Sequence, residues 1–205
     1  MPETPGSAPP TTSLLPVPLA PEISLHLVGA PVGLFDLTGG EFRSDEPPPF
    51  WAFVWAGGQA LARYVLDHPG AVAGKRVHDL ATGSGVAAIA AAKAGAARVT
   101  VSDVDPAAVA AALRNATANR VEIAPGDGPA DLVLAGDVFY SRTVTEQMIA
   151  LLRKARRDAA EVLVGDPGRG FFPERLFEQV ATYVVPVPAA LEEAETLETS
   201  VWRMR

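Results

Sequence analysis

The sequence predicts an α/β fold, a doubly wound and mainly parallel sheet of seven strands. Strand-length apolar segments alternate with helix-length ones from residue 59 onward, and a glycine-bearing turn joins the first of these strands to its helix. The last two strands are separated by a polar, Glu-rich connector with no crossover helix, which predicts an antiparallel pair at the sheet edge. A chain of 205 residues, 48% hydrophobic and 20% charged, suits one packed domain better than two.

Residues 1–20, rich in Pro, Thr and Ser, read as a disordered tail. The rest, 21–205, reads as a single domain whose first part, 21–56, is a small β and loop extension. Within it 23–27 alternates like a strand, 34–37 with Thr38-Gly39-Gly40 marks a hairpin end, and Pro47-Pro48-Pro49 halts any ladder or helix. Residues 59–67 form a helix with Leu61, Tyr64, Val65 and Leu66 on its apolar side. A strand over 75–80, a small-residue helix over 85–93, a strand over 98–102 and a helix over 106–118 opened by proline come next. Strands over 121–124 and 131–135 precede a helix over 143–157 and a strand over 161–165. A last helix over 174–181 leads to the final strands, 183–187 and 198–204.

Composition excludes several classes. The chain has no cysteine, so it has no disulfide, thiolate metal site or cysteine nucleophile, which fits a reducing compartment. A net charge of −7 argues against a nucleic-acid partner. The basic group Arg153, Lys154, Arg156 and Arg157 reads as a solvated helix end complementing the dipole. No apolar run reaches the roughly 18–20 residues of a membrane span, and residues 1–20 lack the marks of a signal or transit peptide. His26, His68 and His78 form no ligand spacing, so no metal is expected.

The first strand and turn read Val77-His78-Asp79-Leu80-Ala81-Thr82-Gly83-Ser84-Gly85. Glycines let the backbone pass close beneath a ligand, and the following helix offers free N–H groups. Asp103, twenty residues past Gly83, ends the second strand, where a carboxylate can hold two ribose hydroxyls. This pattern suits a dinucleotide or S-adenosylmethionine equally. Asp79 tips the balance, because a carboxylate entering the turn repels a pyrophosphate but attracts a sulfonium or an ammonium. Ala88 at the third glycine position also spoils the dinucleotide pattern. Asp127, after the third strand, is a candidate for the adenine amino group.

In Asp131-Leu132-Val133-Leu134-Ala135-Gly136-Asp137-Val138-Phe139-Tyr140 the carboxyl end of the strand faces the same crevice. Methyl transfer to an amine moves positive charge onto nitrogen. Asp137 and Tyr140 can position the amine and stabilise that charge, Asp137 without serving as a strong base. Alternatively, Asp137 only caps the next helix. The segment Phe50-Trp51-Ala52-Phe53-Val54-Trp55-Ala56-Gly57-Gly58-Gln59 either covers the cofactor or acceptor or supplies core aromatics. Gly165-Asp166-Pro167-Gly168-Arg169 either shapes the substrate entrance or is an ordinary turn.

These segments, with Pro21-Glu22-Ile23-Ser24-Leu25 and Ser102-Asp103-Val104-Asp105-Pro106, resemble the family of the electron-transfer flavoprotein β-subunit lysine methyltransferase. The resemblance runs from about residue 21 to the end. It rests most on the Trp-x-Gly-Gly-Gln and Gly-Asp-Pro-Gly-Arg segments. It implies a Rossmann-like seven-strand methyltransferase using S-adenosylmethionine, with Trp55, Gly57, Asp79, Ala81, Gly83, Gly85, Asp103 and Asp127 around the cofactor. It further implies Asp137 and Tyr140 at the acceptor, a lysine of the flavoprotein β-subunit or of a ribosomal protein. Ala81 replaces the usual first glycine of the turn, and Ala56 the proline often found after the tryptophan. The composition resembles a bacterial, cytoplasmic member. A small-molecule amine methyltransferase of the nicotinamide N-methylase kind, a nicotinamide-dependent oxidoreductase and a non-catalytic binding module are the competing readings.

Overall fold

The computed structural model describes residues 10–29, 48–192 and 194–205. The hairpin end expected at 34–40 lies outside them. An N-terminal hairpin pairs β1 (Ser13–Pro16) antiparallel with β2 (Ser24–Leu27). Then come α1 (Ala56–Asp67), β3 (Arg76–Leu80), α2 (Val86–Lys93), β4 (Arg98–Ser102), α3 (Pro106–Ala118) and β5 (Ala124–Pro125). They are followed by β6 (Leu132–Gly136), α4 (Arg142–Arg157), β7 (Glu161–Asp166), β8 (Phe177–Pro186), a short helical turn α5 (Ala189–Glu192) and β9 (Thr196–Met204).

The seven strands from β3 on form one sheet in the order β5-β4-β3-β6-β7-β9-β8. The first five of that order run parallel, and β9 is antiparallel to both its neighbours. This is the doubly wound sheet with an antiparallel last strand that the alternation predicts. The order reverses between β3 and β6, so ligands are expected at the carboxyl ends of those strands.

Strand periodicity divides the core in two. On one face Val77, Val99, Val101, Leu132, Leu134, Leu163 and Val201 pack with α1, α2 and the hairpin. On the other, Val133, Ala135, Val162 and Val164 pack with Met148 and Leu152 of α4 and with Phe139 and Phe177. Small side chains let α2 lie close to the sheet, and all of Val86 to Ala91 are buried. The β5–β6 connection carries no helix.

Two expectations need correction. Residues 13–20 belong to an ordered hairpin, not to a disordered tail. Val17 and Ala20 are buried with Ile23 and Leu25, and the chain reverses through the bonds Val17 N to Ile23 O and Ala20 N to Val17 O. The Pro, Thr and Ser of the first twelve residues mask the apolar run 14–20 when composition is averaged. The helix expected over 174–181 is instead a single 3₁₀ turn, Glu174–Leu176, leading directly into β8. A bulge between Gln179 and Ala181 breaks the two-residue alternation there, which hides a strand rich in β-branched and aromatic residues.

Candidate active site

The turn after β3 contains three left-handed residues, Ala81, Gly83 and Gly85, with φ of 57°, 51° and 84°. Gly85 is doubly constrained, since a Cβ there would lie 2.8 Å from the Cβ of Ala112 on α3. Asp79 is buried, and the bonds it makes hold the turn together. Its Oδ2 accepts from Thr82 Oγ1 at 2.7 Å and from the Ala88 amide at 3.1 Å. Burial pushes its carboxyl up to about 7, opposed by those two bonds and reinforced by the Asp103 charge.

Asp103 is fixed from both sides. One oxygen accepts from the Gly83 amide at 3.0 Å, the other from the Asp105 amide at 3.1 Å. Beside it a cleft of about 650 Å³ is lined by Ala81, Asp103, Val104 and Asp127 and continues over His78 towards Met148 and Leu151 of α4. That volume lies within the range of small-molecule sites. The cradle fits a nucleoside-bearing cofactor: left-handed backbone without bulk, and a carboxylate held ready for hydroxyls. Ala81, Asp103 and Asp127 line this cleft together, whereas Gly85 and Asp79 shape it from behind.

The second group gathers at the ends of β6 and β7. Asp137 takes a left-handed φ of 55°, and its amide donates to Gly165 O at 2.9 Å. Its Oδ2 accepts from the Gly58 amide at the start of α1, 2.9 Å away, while its buried Oδ1 has no hydrogen-bond partner among the described residues. Burial pushes this carboxyl up to about 7. The Arg169 guanidinium and the Gly58 bond oppose that rise, and Asp166 and Glu192 add to it. The following helix, α4, is capped by Ser141, which accepts from the Val144 amide, so Asp137 does not cap it and instead accepts from a first-turn amide of α1.

Gly57 and Gly58 make this approach possible. A Cβ on Gly57 would meet Gly165 O at 2.1 Å and Asp137 Oδ2 at 2.7 Å, so Gly57 serves the contact between α1 and β7. Trp55 lies beside this group, with its indole N–H donating to Phe50 O at 2.9 Å and Arg169 5.8 Å from its ring centre. Phe50 lies 5.8 Å from Trp55 and 6.2 Å from Tyr140, centre to centre, which forms an aromatic rim. Tyr140 is 51% exposed, so the rim opens outward, and partial burial with the Asp103 charge raises its phenol. Trp51 and Phe53 are buried with Ala108 and Ala111 of α3, which makes them core.

Comparison with known proteins identifies the family. The family model for ribosomal protein L11 methyltransferase matches residues 60–151. The electron transfer flavoprotein beta subunit lysine methyltransferase of Danio rerio is 36% identical over 200 residues, covering 90% of this chain and 76% of that protein. The chain belongs to that family. It is a methyltransferase. A second relative, the ribosomal protein L11 methyltransferase of Symbiobacterium thermophilum, is 49% identical over 70 residues, 30% of this chain and 23% of that protein. The fold also matches magnesium protoporphyrin IX methyltransferase from Synechocystis with bound SAM, at a TM-score of 0.53 and 19% identity. That match covers 72% of this chain and 79% of the other.

Several members of the site were not singled out from sequence. Thr82 staples Asp79, and Glu192, in the Glu-rich connector, hydrogen-bonds Arg169 through both carboxylate oxygens. Asn115 donates to Ser84 O at 2.8 Å within the cofactor turn. Asn115 alone left a signal: an amide among the buried alanines of α3 (Ala108, Ala111, Ala112 and Ala116) must find partners. Glu192 left none, being one glutamate among several.

Proposed function

We propose that this chain transfers a methyl group from S-adenosylmethionine to lysine side chains of a protein, the β-subunit of electron-transfer flavoprotein, in the cytoplasm. The observation that carries this reading is the buried oxygen of Asp137 that accepts no hydrogen bond, behind an outward-facing aromatic rim. A lone carboxylate oxygen in that position suits an amine, and a rim with a half-exposed tyrosine admits a long side chain from a macromolecule. The substrate in the name of the Danio rerio relative supports this choice of acceptor.

When bound, the cofactor supplies a methyl carbon on a sulfonium, which the neutral amine takes as the carbon–sulfur bond breaks and its electron pair returns to sulfur. Asp103 would hold the ribose hydroxyls of the cofactor, and the Ala81–Gly85 turn would lie beneath it. Asp137 draws the lysine ammonium in. Burial pushes the Asp137 carboxyl up to about 7, so it takes the proton of an amine of pKa ~10.4 at less cost than an ordinary carboxylate would, and the amine is then neutral. Trp55, Phe50 and Tyr140 exclude water and offer ring faces to the charge that develops on nitrogen.

The test combines the purified chain, labelled S-adenosylmethionine and purified flavoprotein. Label on lysines of the β-subunit, located by mass spectrometry and absent with Asp137→Ala, is the expected result. Label carried only by ribosomal protein L11 would replace the acceptor. Label carried only by a small amine such as nicotinamide would overturn the protein-substrate reading.

A further inference from the structure

The loop after β7 is built around Arg169. Gly168 and Gly170 flank it at φ of 81° and 82°, and neither has any atom within 4 Å of where a Cβ would stand. Conformation therefore requires glycine on both sides, not space. Asp166 fastens the loop by accepting from the Gly168 amide at 2.6 Å. The guanidinium thus delivered lies over Trp55 and between two carboxylates, which it treats differently. Both terminal nitrogens of Arg169 donate to Glu192, one at 2.8 Å, and the Glu192 side chain is only 7% exposed. Towards Asp137 Oδ1 the same group stands at 3.6 Å, an ion pair without a hydrogen bond, and that oxygen has no hydrogen-bond partner among the described residues.

We propose that Glu192 keeps Arg169 from closing onto Asp137, so that one carboxylate oxygen stays free of a hydrogen bond for the acceptor amine. Arg169 is then a resident cation that competes with the acceptor whenever Glu192 lets it go. This deepens the reading of Asp137 as the acceptor-binding carboxylate and rests on it. The charged groups facing Asp137 are Asp166 at the end of β7, Arg169 from the loop after it and Glu192 from the β8–β9 connector, while α1 contributes the Gly58 amide. Glu192 is a positioning residue, since it acts on the amine seat only through Arg169. Its place on α5, in the connection from the edge strand β8 to β9, ties the amine seat to that edge of the sheet.

The experiment is a double-mutant cycle on the full chain: wild type, Glu192→Gln, Arg169→Gln and the pair. The direct readout is the titration of the Asp137 carboxyl, followed by carbon-13 NMR with labelled aspartate and assigned by Asp137→Asn. Losing the Glu192 charge alone lowers that titration a little in either background. If Arg169 swings in, the shift with Arg169 present reaches about one to two pH units, the size expected for an opposite charge at contact. In the Arg169→Gln background it stays below about half of that. KM for the flavoprotein acceptor should rise about ten-fold in Glu192→Gln and recover in the pair, with S-adenosylhomocysteine affinity unchanged throughout. Equal titration shifts in the two backgrounds would overturn the proposal even if the wild type methylates the flavoprotein. The titration cycle can succeed although the flavoprotein proves not to be the acceptor, so the two failures are distinguishable.

Discussion

Ala81 shows how one side chain can be out of keeping with its backbone. It sits at φ 57° in the cofactor turn, where glycine would be unstrained. A left-handed L-residue costs about 1–2 kcal/mol, and glycine's extra unfolded-state entropy returns about half of that. Ala81→Gly should therefore stabilise the chain by about 0.5–1 kcal/mol, read as a rise of a few degrees in Tm. Asp137 carries the opposite bargain. Its carboxyl titrates near 7 in the fold against an ordinary 3.8, so between those values the folded chain holds a proton that the unfolded chain has released. The stability this represents is present below about 3.8 and lost as pH rises through 7. Asp137→Asn should thus stabilise the protein more at pH 8 than at pH 5, by on the order of 2 kcal/mol, while transfer falls at least about 100-fold. Thermal melts at both pH values, beside a methylation assay, check both halves.

At the scale of elements, the segment Trp55 to Gln59 has a distinct task at nearly every position. Trp55 joins the aromatic rim, Gly57 touches β7 backbone, Gly58 donates to Asp137, and the buried Gln59 binds Leu19 N at 3.2 Å and Pro186 O at 3.1 Å. Gly57→Ala would drive a methyl group into the Gly165 carbonyl. The expected result is loss of soluble protein or a Tm drop exceeding 10 °C, against little change for Gly70→Ala, where nothing lies within 4 Å. Most strands and helices were legible because their periodicity is local: 98–102 and 106–118 carry it cleanly and match β4 and α3 residue for residue. β8 was not legible, because its bulge destroys the period that would reveal it. Within the site, Asp103, Asp137 and Tyr140 could be located because each follows the carboxyl end of a strand of a doubly wound sheet within a few residues. The inward turn of Asp79 and the grip of Glu192 on Arg169 could not, since both depend on contacts between segments, Asp79 across nine residues to Ala88 and Arg169 across 23 to Glu192.

Across the whole molecule, α3 joins the N-terminal hairpin to the cofactor turn through two amides one helical turn apart. Asn119 accepts from the Ser24 amide at 3.0 Å and donates to Ser24 O at 2.6 Å, serving the free edge of β2 as a neighbouring strand would. Asn115 accepts from the His26 amide at 2.7 Å and, with its other end, donates to Ser84 O. The two residues therefore differ in one respect: both hold the hairpin, but only Asn115 also holds the turn. Asn119→Ala should cost about 1–3 kcal/mol of stability and leave S-adenosylhomocysteine affinity within about two-fold of wild type. Asn115→Ala, which strands buried partners on both sides, should cost at least as much stability and weaken that affinity about five- to ten-fold. Chemical denaturation and calorimetric titration of the two variants measure these quantities separately. Equal losses of affinity would mean that the hairpin itself, and not the bond to Ser84, keeps the cofactor turn in place. The N-terminal extension would then be a working part of the cofactor cleft, which its position beside α3 permits but the contacts of Asn115 argue against.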